Sequence, residues 1–183
     1  MHYVLEPAPE LDLVAGIEEP DAGLLPKYMQ GVKLPPDEAA TVKRVVVETP
    51  MDEYPDHFMT LHGPVVSRRF IEALSRNGID NFDGYHARLI CPNIEIESYF
   101  VWNVVGRIAC IDHGRAEYTT YKEKIARIQS LAIDESRTHG AKLFRLDEAP
   151  AVLLVAHDVR KAFASLTGVV LTEAEGWSDD HWF

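Results

Sequence analysis

Basic side chains are scarce at both ends of this chain. Residues 1 to 26 hold Glu6, Glu10, Asp12, Glu18, Glu19 and Asp21 without a Lys or Arg, and after Lys161 four more acids again stand without one. Over the whole sequence 18 basic face 29 acidic residues, a formal charge of −11, which repels phosphate backbones and argues against a nucleic-acid partner. Cysteine is nearly absent. Cys91 and Cys110 form no CxxC or zinc-knuckle spacing, so buried free thiols are expected rather than a disulfide framework. No apolar run approaches the roughly 18 residues of a membrane span. The start, MHYVLEPAPELDL, has neither a basic n-region nor a long apolar h-region, so a cytoplasmic protein without a secretory signal is expected. HExxH, P-loop, GxGxxG, EF-hand and GxSxG patterns are all missing, which removes the cheapest support for the corresponding enzymes and their cofactors.

What is present is ordinary globular material. At 183 residues, 46% hydrophobic and 26% charged, the chain is long enough for one domain burying roughly 70% of its unfolded surface. The expectation is a single domain over 1–183, with an irregular N-terminal lobe of short strands over 1–64 and an α+β core over 65–183. Its sheet should be largely antiparallel or mixed, with a few short packed helices. Glycine and proline punctuate residues 12–40, a loop signature, while KRVVVE (43–48) reads as a strand.

Ser67 is placed to cap a helix over RRFIEALSRNG, with Phe70, Ile71 and Leu74 inward and Asn77–Gly78 as the stop. His157 to Gly168 repeats that outline: an apolar pair, helical spacing of Val159, Ala162, Phe163 and Leu166, then glycine. Residues 94–111, aromatic and β-branched, suggest a long central strand interrupted at Gly106 by a bulge or a close backbone approach. LFRL and AVLLVA flank the turn DEAP and read as neighbouring strands. Within residues 118–133, Ile125, Ile128, Leu131 and Ala132 allow a helix, whereas SLAI (130–133) alone could be a strand.

Candidate chemistry is thin. Asp52, Glu53, Asp56, His57 and His62 gather metal-type ligands in one polar stretch, and Asp112 with His113 follows an apolar strand. A small metal-dependent hydrolase built on them is one alternative reading, against a solvated loop and a hydrogen-bonded turn, and a general adaptor module is another. Tyr99, Phe100 and Trp102 are expected in the core. The tail, AEGWSDDHWF, sets Trp177, Trp182 and Phe183 among Glu173, Glu175, Asp179 and Asp180. It can dock on its own domain or present Glu173, Glu175, Trp177, Asp179, Asp180 and Trp182 to a partner.

Taken in order, SRRFIEALSRNGI, YFVWNVVGRIACID and LFRLDEAPAVLLVAHDVRKAFASLTGVVL resemble immunity-protein family eleven of bacterial polymorphic toxin systems, from about Val65 to about Leu171. Ser67 opens the first matching segment. Asn103 and Asp112 take the places of that family's mid-strand Asn and strand-end Asp, whereas Ala116 and Glu117 stand where a serine and an acid are usual. Phe144, Arg145 and Leu146 match the strand before the last helix, and Leu166, Thr167, Gly168 and Val169 its glycine stop. The resemblance implies a non-enzymatic protein that neutralises a cognate toxin domain by binding it. The acidic balance is compatible with a basic toxin such as a nuclease. Self-association is left open.

Overall fold

A computed structural model describes residues 1–8, 13–18 and 26–180. Strand dominates among them and helices are few, so the expected α+β class holds only in the coarser sense of a sheet-rich protein. Besides the four-residue α1 (Pro36–Ala39), the described residues contain one α-helix, α2 (Arg68–Arg76), with 3-10 turns at Lys27–Met29, Glu135–Thr138 and His157–Phe163.

Two mixed sheets and a hairpin make up the rest. Sheet one runs β2 (Ala15–Ile17), β3 (Lys43–Val47), β6 (Phe82–Ile90), β7 (Glu95–Val104), β5 (Gly63–Ser67), β4 (His57–Thr60). Sheet two runs β13 (Val169–Glu173), β1 (His2–Pro7), β12 (Leu153–Ala156), β11 (Leu143–Leu146), β8 (Arg107–Ile108). Every pairing is antiparallel except β3 with β6 and β11 with β8. The hairpin joins β9 (Glu117–Tyr121) to β10 (Lys124–Ser130). Residues 1–64, read as a lobe, contribute β1 to sheet two and β2 to β4 to sheet one.

Period-two alternation explains the layering. On β7, Trp102 and Val104 enter one apolar cluster while Tyr99 and Val101 enter another. On β12, Leu153 and Val155 join the Trp102 cluster and Leu154 a third. One cluster therefore lies between the sheets, and each sheet has a second cluster on its outer face. Strands covered on both faces need apolar residues at every position, which is why AVLLVA has no polar interruption.

Three expectations change. Residues 94–111 are two strands in different sheets: Gly106, at φ 104, ends β7 and hands the chain to β8. Its amide donates to the Gly31 carbonyl and its carbonyl accepts from the Arg145 amide. Within the stretch read as a solvated loop, His57 to Thr60 form β4 of the β4–β5 hairpin and Asp56, His57 and Thr60 are buried, while Asp52 and Glu53 stay exposed outside it. Residues 118–133 are mostly the β9–β10 hairpin, whose turn sets Lys122 and Glu123 at φ 49 and 65, the left-handed pair that a two-residue hairpin requires.

The two similar segments behave alike at their ends but not in their helices. Residues 68–76 are α-helical and 157–163 are 3-10, yet Gly78 and Gly168 close them at φ 69 and 78. They pack on each other, Phe70 edge to face with Phe163 at 5.7 Å. Ser67 does more than cap: its Oγ accepts from the Phe70 amide at 3.2 Å and donates to Asp56 Oδ1 at 2.5 Å. Ser67→Ala removes both, and a loss of about 2 kcal/mol is expected in urea denaturation. A loss below about 0.5 kcal/mol would show that neither bond matters to the fold.

Candidate functional site

The acidic tail begins where β13 ends. Ala174 and Trp177 turn into the outer cluster of sheet two, and Trp177 is 3% exposed. Main-chain bonds fix this turn to β10 and the residue after it: the Leu131 amide donates to the Trp177 carbonyl at 2.8 Å, the Gly176 amide to the Leu131 carbonyl at 2.8 Å, and the Asp179 amide to the Ile128 carbonyl at 3.1 Å. Asp179 returns the contact, its Oδ2 accepting from the Ile128 amide at 3.1 Å. Trp177 and Asp179 thus hold the tail on its own fold, while Glu173, Glu175 and Asp180 remain at the surface. Trp182 lies outside the described residues.

Two arginines that sequence reasoning missed shape this surface. Arg115 Nη1 meets Glu175 at 2.6 Å, and Arg127 meets Asp180 through Nε at 2.9 Å and Nη2 at 2.5 Å. Their partners lie more than fifty residues away in sequence, so no local pattern could reveal them. Exposed pairs of this kind add little stability, but they hold the Glu175 carboxylate at the turn before β9 and the Asp180 carboxylate at β10.

The polar cluster around His57 is built differently. Asp56 Oδ2 accepts from the Thr167 amide at 3.0 Å and its hydroxyl at 3.3 Å, while Oδ1 takes the Ser67 hydroxyl, and Arg69 stands 3.6 Å away. His57 lies stacked on Phe70 and edge-on to Trp102, its Nδ1 3.0 Å from the Gly168 carbonyl. That carbonyl can only accept, so Nδ1 carries the proton. Burial pulls the imidazole pKa down to about 4. Ser67 gives its proton to Asp56 and not to a histidine, so these side chains do not form the nucleophile–base geometry of a triad. Asp52 and Glu53 are exposed and His62 is half-buried. Among the described residues no three His, Cys, Asp or Glu side chains converge to hold a metal ion. The cluster clamps the end of β4 to the loop before β13.

Asp112 and His113 also go separate ways. Asp112 accepts from the Gly114 amide at 3.0 Å and Arg115 Nε at 2.7 Å, and the Arg115 hydrogen bond holds its carboxyl below the usual range. His113 Nδ1 pairs with the Tyr118 hydroxyl at 2.8 Å. Together they brace the turn into β9.

Of the residues that carry the family resemblance, Ser67, Asn103, Phe144 and Arg145 are interior, whereas Asp112 and Gly168 are half-buried. Asn103 donates to the Val32 carbonyl at 2.7 Å, Phe144 packs in the outer cluster of sheet two, and Gly168 touches the backbone of His57. Arg145 is buried and donates to the carbonyls of Pro150 at 2.9 Å and Tyr28 at 3.0 Å. The burial of Ser67, Asn103, Phe144 and Arg145 makes these four determinants of the fold.

Among the described residues no helix is long and apolar enough to cross a membrane. No curated protein matches the chain. The family model described as Immunity protein family (Imm11) does, and it spans residues 8–178, taking in every strand except β1, the hairpin, and the tail as far as Ser178. With the matched region so nearly the whole molecule, this chain belongs to the Imm11 immunity protein family.

Proposed function

We propose that the protein is a non-enzymatic immunity protein, folded as one unit over 1–183, that protects its producing cell in the cytoplasm by binding a cognate toxin domain and blocking it. The observation that carries this reading is the family match over 8–178. The charge of −11 supports a partner of opposite sign, since complementary fields speed encounter far more than they strengthen the bound state. The contact set we propose comprises Glu173, Glu175, Trp177, Asp179, Asp180 and Trp182, in two roles. Glu173, Glu175 and Asp180 form the charged rim, and Trp177 and Asp179 hold that rim in place. Trp182 is assigned to direct contact on its residue type alone.

Binding kinetics against candidate cognate toxin domains provide the test. The wild-type protein should associate rapidly, with an on-rate that falls as salt rises. Reversing the rim in Glu173→Lys/Glu175→Lys/Asp180→Lys should slow association about tenfold or more, with a smaller change in dissociation. An on-rate unmoved by that variant would place the contact elsewhere. Absence of any binding by the wild-type protein would sink the toxin-neutralising reading itself.

A further inference from the structure

A cavity of about 390 Å³ lies between the two sheets, walled by Leu5 and Leu153 from sheet two and by Met59 and Trp102 from sheet one. Carbon lines most of it. Into this apolar wall are set Arg145, 2% exposed, and His57, 1% exposed. Arg145 commits Nη1 and Nη2 to two backbone carbonyls and leaves Nε without a hydrogen-bond partner; Trp102, fully buried, leaves its indole N–H without one as well. No carboxylate of the described residues pairs with the Arg145 guanidinium, and burial alone draws its pKa down to about 10.

A buried cation satisfied only by neutral carbonyls is costly, and nature ordinarily compensates one with an anion. Two idle N–H donors belong to side chains that line a single cavity, and each lacks the acceptor that a buried donor ordinarily has. The carbon surface around them selects against a small hydrated inorganic anion and for a ligand with an apolar body. The volume is at the small end of the range for ligand pockets. We propose that the inter-sheet cavity binds a small monocarboxylate with an apolar body, its carboxylate held by Arg145 and Trp102 and its hydrocarbon between Leu5, Met59 and Leu153. His57, with Nδ1 committed to the Gly168 carbonyl, is the other ionisable side chain in the wall. The site is separate from the acidic rim and does not depend on a toxin.

Octanoate is the probe, titrated calorimetrically into the full-length protein, with 1-octanol as the uncharged comparison. Octanoate should bind at one site and raise the unfolding temperature, and octanol should bind about tenfold more weakly or worse. Trp102→Phe keeps an aromatic ring and removes the N–H, and should weaken octanoate about tenfold. Ala151→Phe, at the cavity edge, should abolish binding by filling the space while the protein stays folded. Arg145→Met tests the cation directly, but it also breaks two buried backbone contacts, so Ala151→Phe keeps the idea open to refutation if Arg145→Met fails to fold. Equal affinity for octanol would mean an apolar void without an anion site. Absence of octanoate binding at millimolar concentration, or binding unaffected by Ala151→Phe, would overturn the assignment.

Discussion

Gly168→Ala is expected to lower folding stability by about 3 to 4 kcal/mol. Two costs add. At φ 78 the residue occupies the left-handed region, which is unfavourable for an L side chain by about 1 kcal/mol or more. A β-carbon there would also stand 2.0 Å from the His57 carbonyl oxygen and 2.9 Å from Pro55 Cβ, far inside contact distance, and overpacking of that kind costs about 1 to 3 kcal/mol. Relief by backbone movement is blocked from several sides. The Gly168 carbonyl accepts from the Ala8 amide at 3.1 Å and from His57 Nδ1 at 3.0 Å, and the Thr167 carbonyl accepts from the His57 amide at 3.1 Å. Gly176→Ala is the matched control, because Gly176 has φ 77 and no heavy atom stands within 4 Å of where its β-carbon would lie. It should lose only the conformational part, about 1 kcal/mol. Chemical denaturation of both variants separates the two costs. Equal losses would mean that the close approach of His57 contributes nothing.

This glycine marks the boundary of what sequence could show. As the stop of a short helical segment it was legible, like Ser67 and Asn77–Gly78 around α2, because caps and stops act within a few residues. The strand pair LFRL and AVLLVA was legible for the same reason, two apolar runs across a tight turn. The second function of Gly168, making room for the end of β4, joins positions 111 residues apart and leaves no local trace. The same holds for Arg115 with Glu175 and Arg127 with Asp180. The sequence favours a docked tail over a presented one without excluding either, since an acidic segment containing tryptophan has the same composition in both arrangements. Only packing decided that Trp177 turns inward while Glu173, Glu175 and Asp180 face out.

The β9–β10 hairpin was obscured by its own geometry. Its ladder shifts register between Ile125 and Arg127 and again between Ile128 and Ser130. Bulges break the alternation that identifies a strand. They leave Ile125, Ile128 and Leu131 at spacing three, each touching the outer cluster of sheet two, which imitates one face of a helix. Gly106 misled in the opposite direction. Apolar residues continue on both sides of it, so a change of sheet looked like an interruption within one strand.

Acidification should destabilise the protein through His57 between about pH 6.5 and pH 4, and the sign follows from which state holds the proton. The imidazole has a pKa of about 4 in the folded protein against 6.5 for the ordinary group, because burial beside Phe70 and Trp102 penalises its charged form. Between those values the unfolded chain binds a proton that the folded chain does not, so stability rises with pH across the window and falls as pH drops through it. Above about pH 6.5 both states are neutral and the contribution is flat. The full separation corresponds to roughly 3 kcal/mol. His57→Gln retains an amide N–H able to donate to the Gly168 carbonyl but cannot titrate, so its stability should lack this slope even if it starts lower at neutral pH. Carboxylates protonating below about pH 5 affect both proteins, which makes the difference between the two urea-denaturation curves, measured at roughly half-unit steps from about pH 7.5 to 4.5, the informative quantity. A difference that stays constant over that range would mean that His57 gains a proton in the folded state as easily as in the unfolded one, and that the clamp between β4 and Gly168 does not depend on a neutral ring.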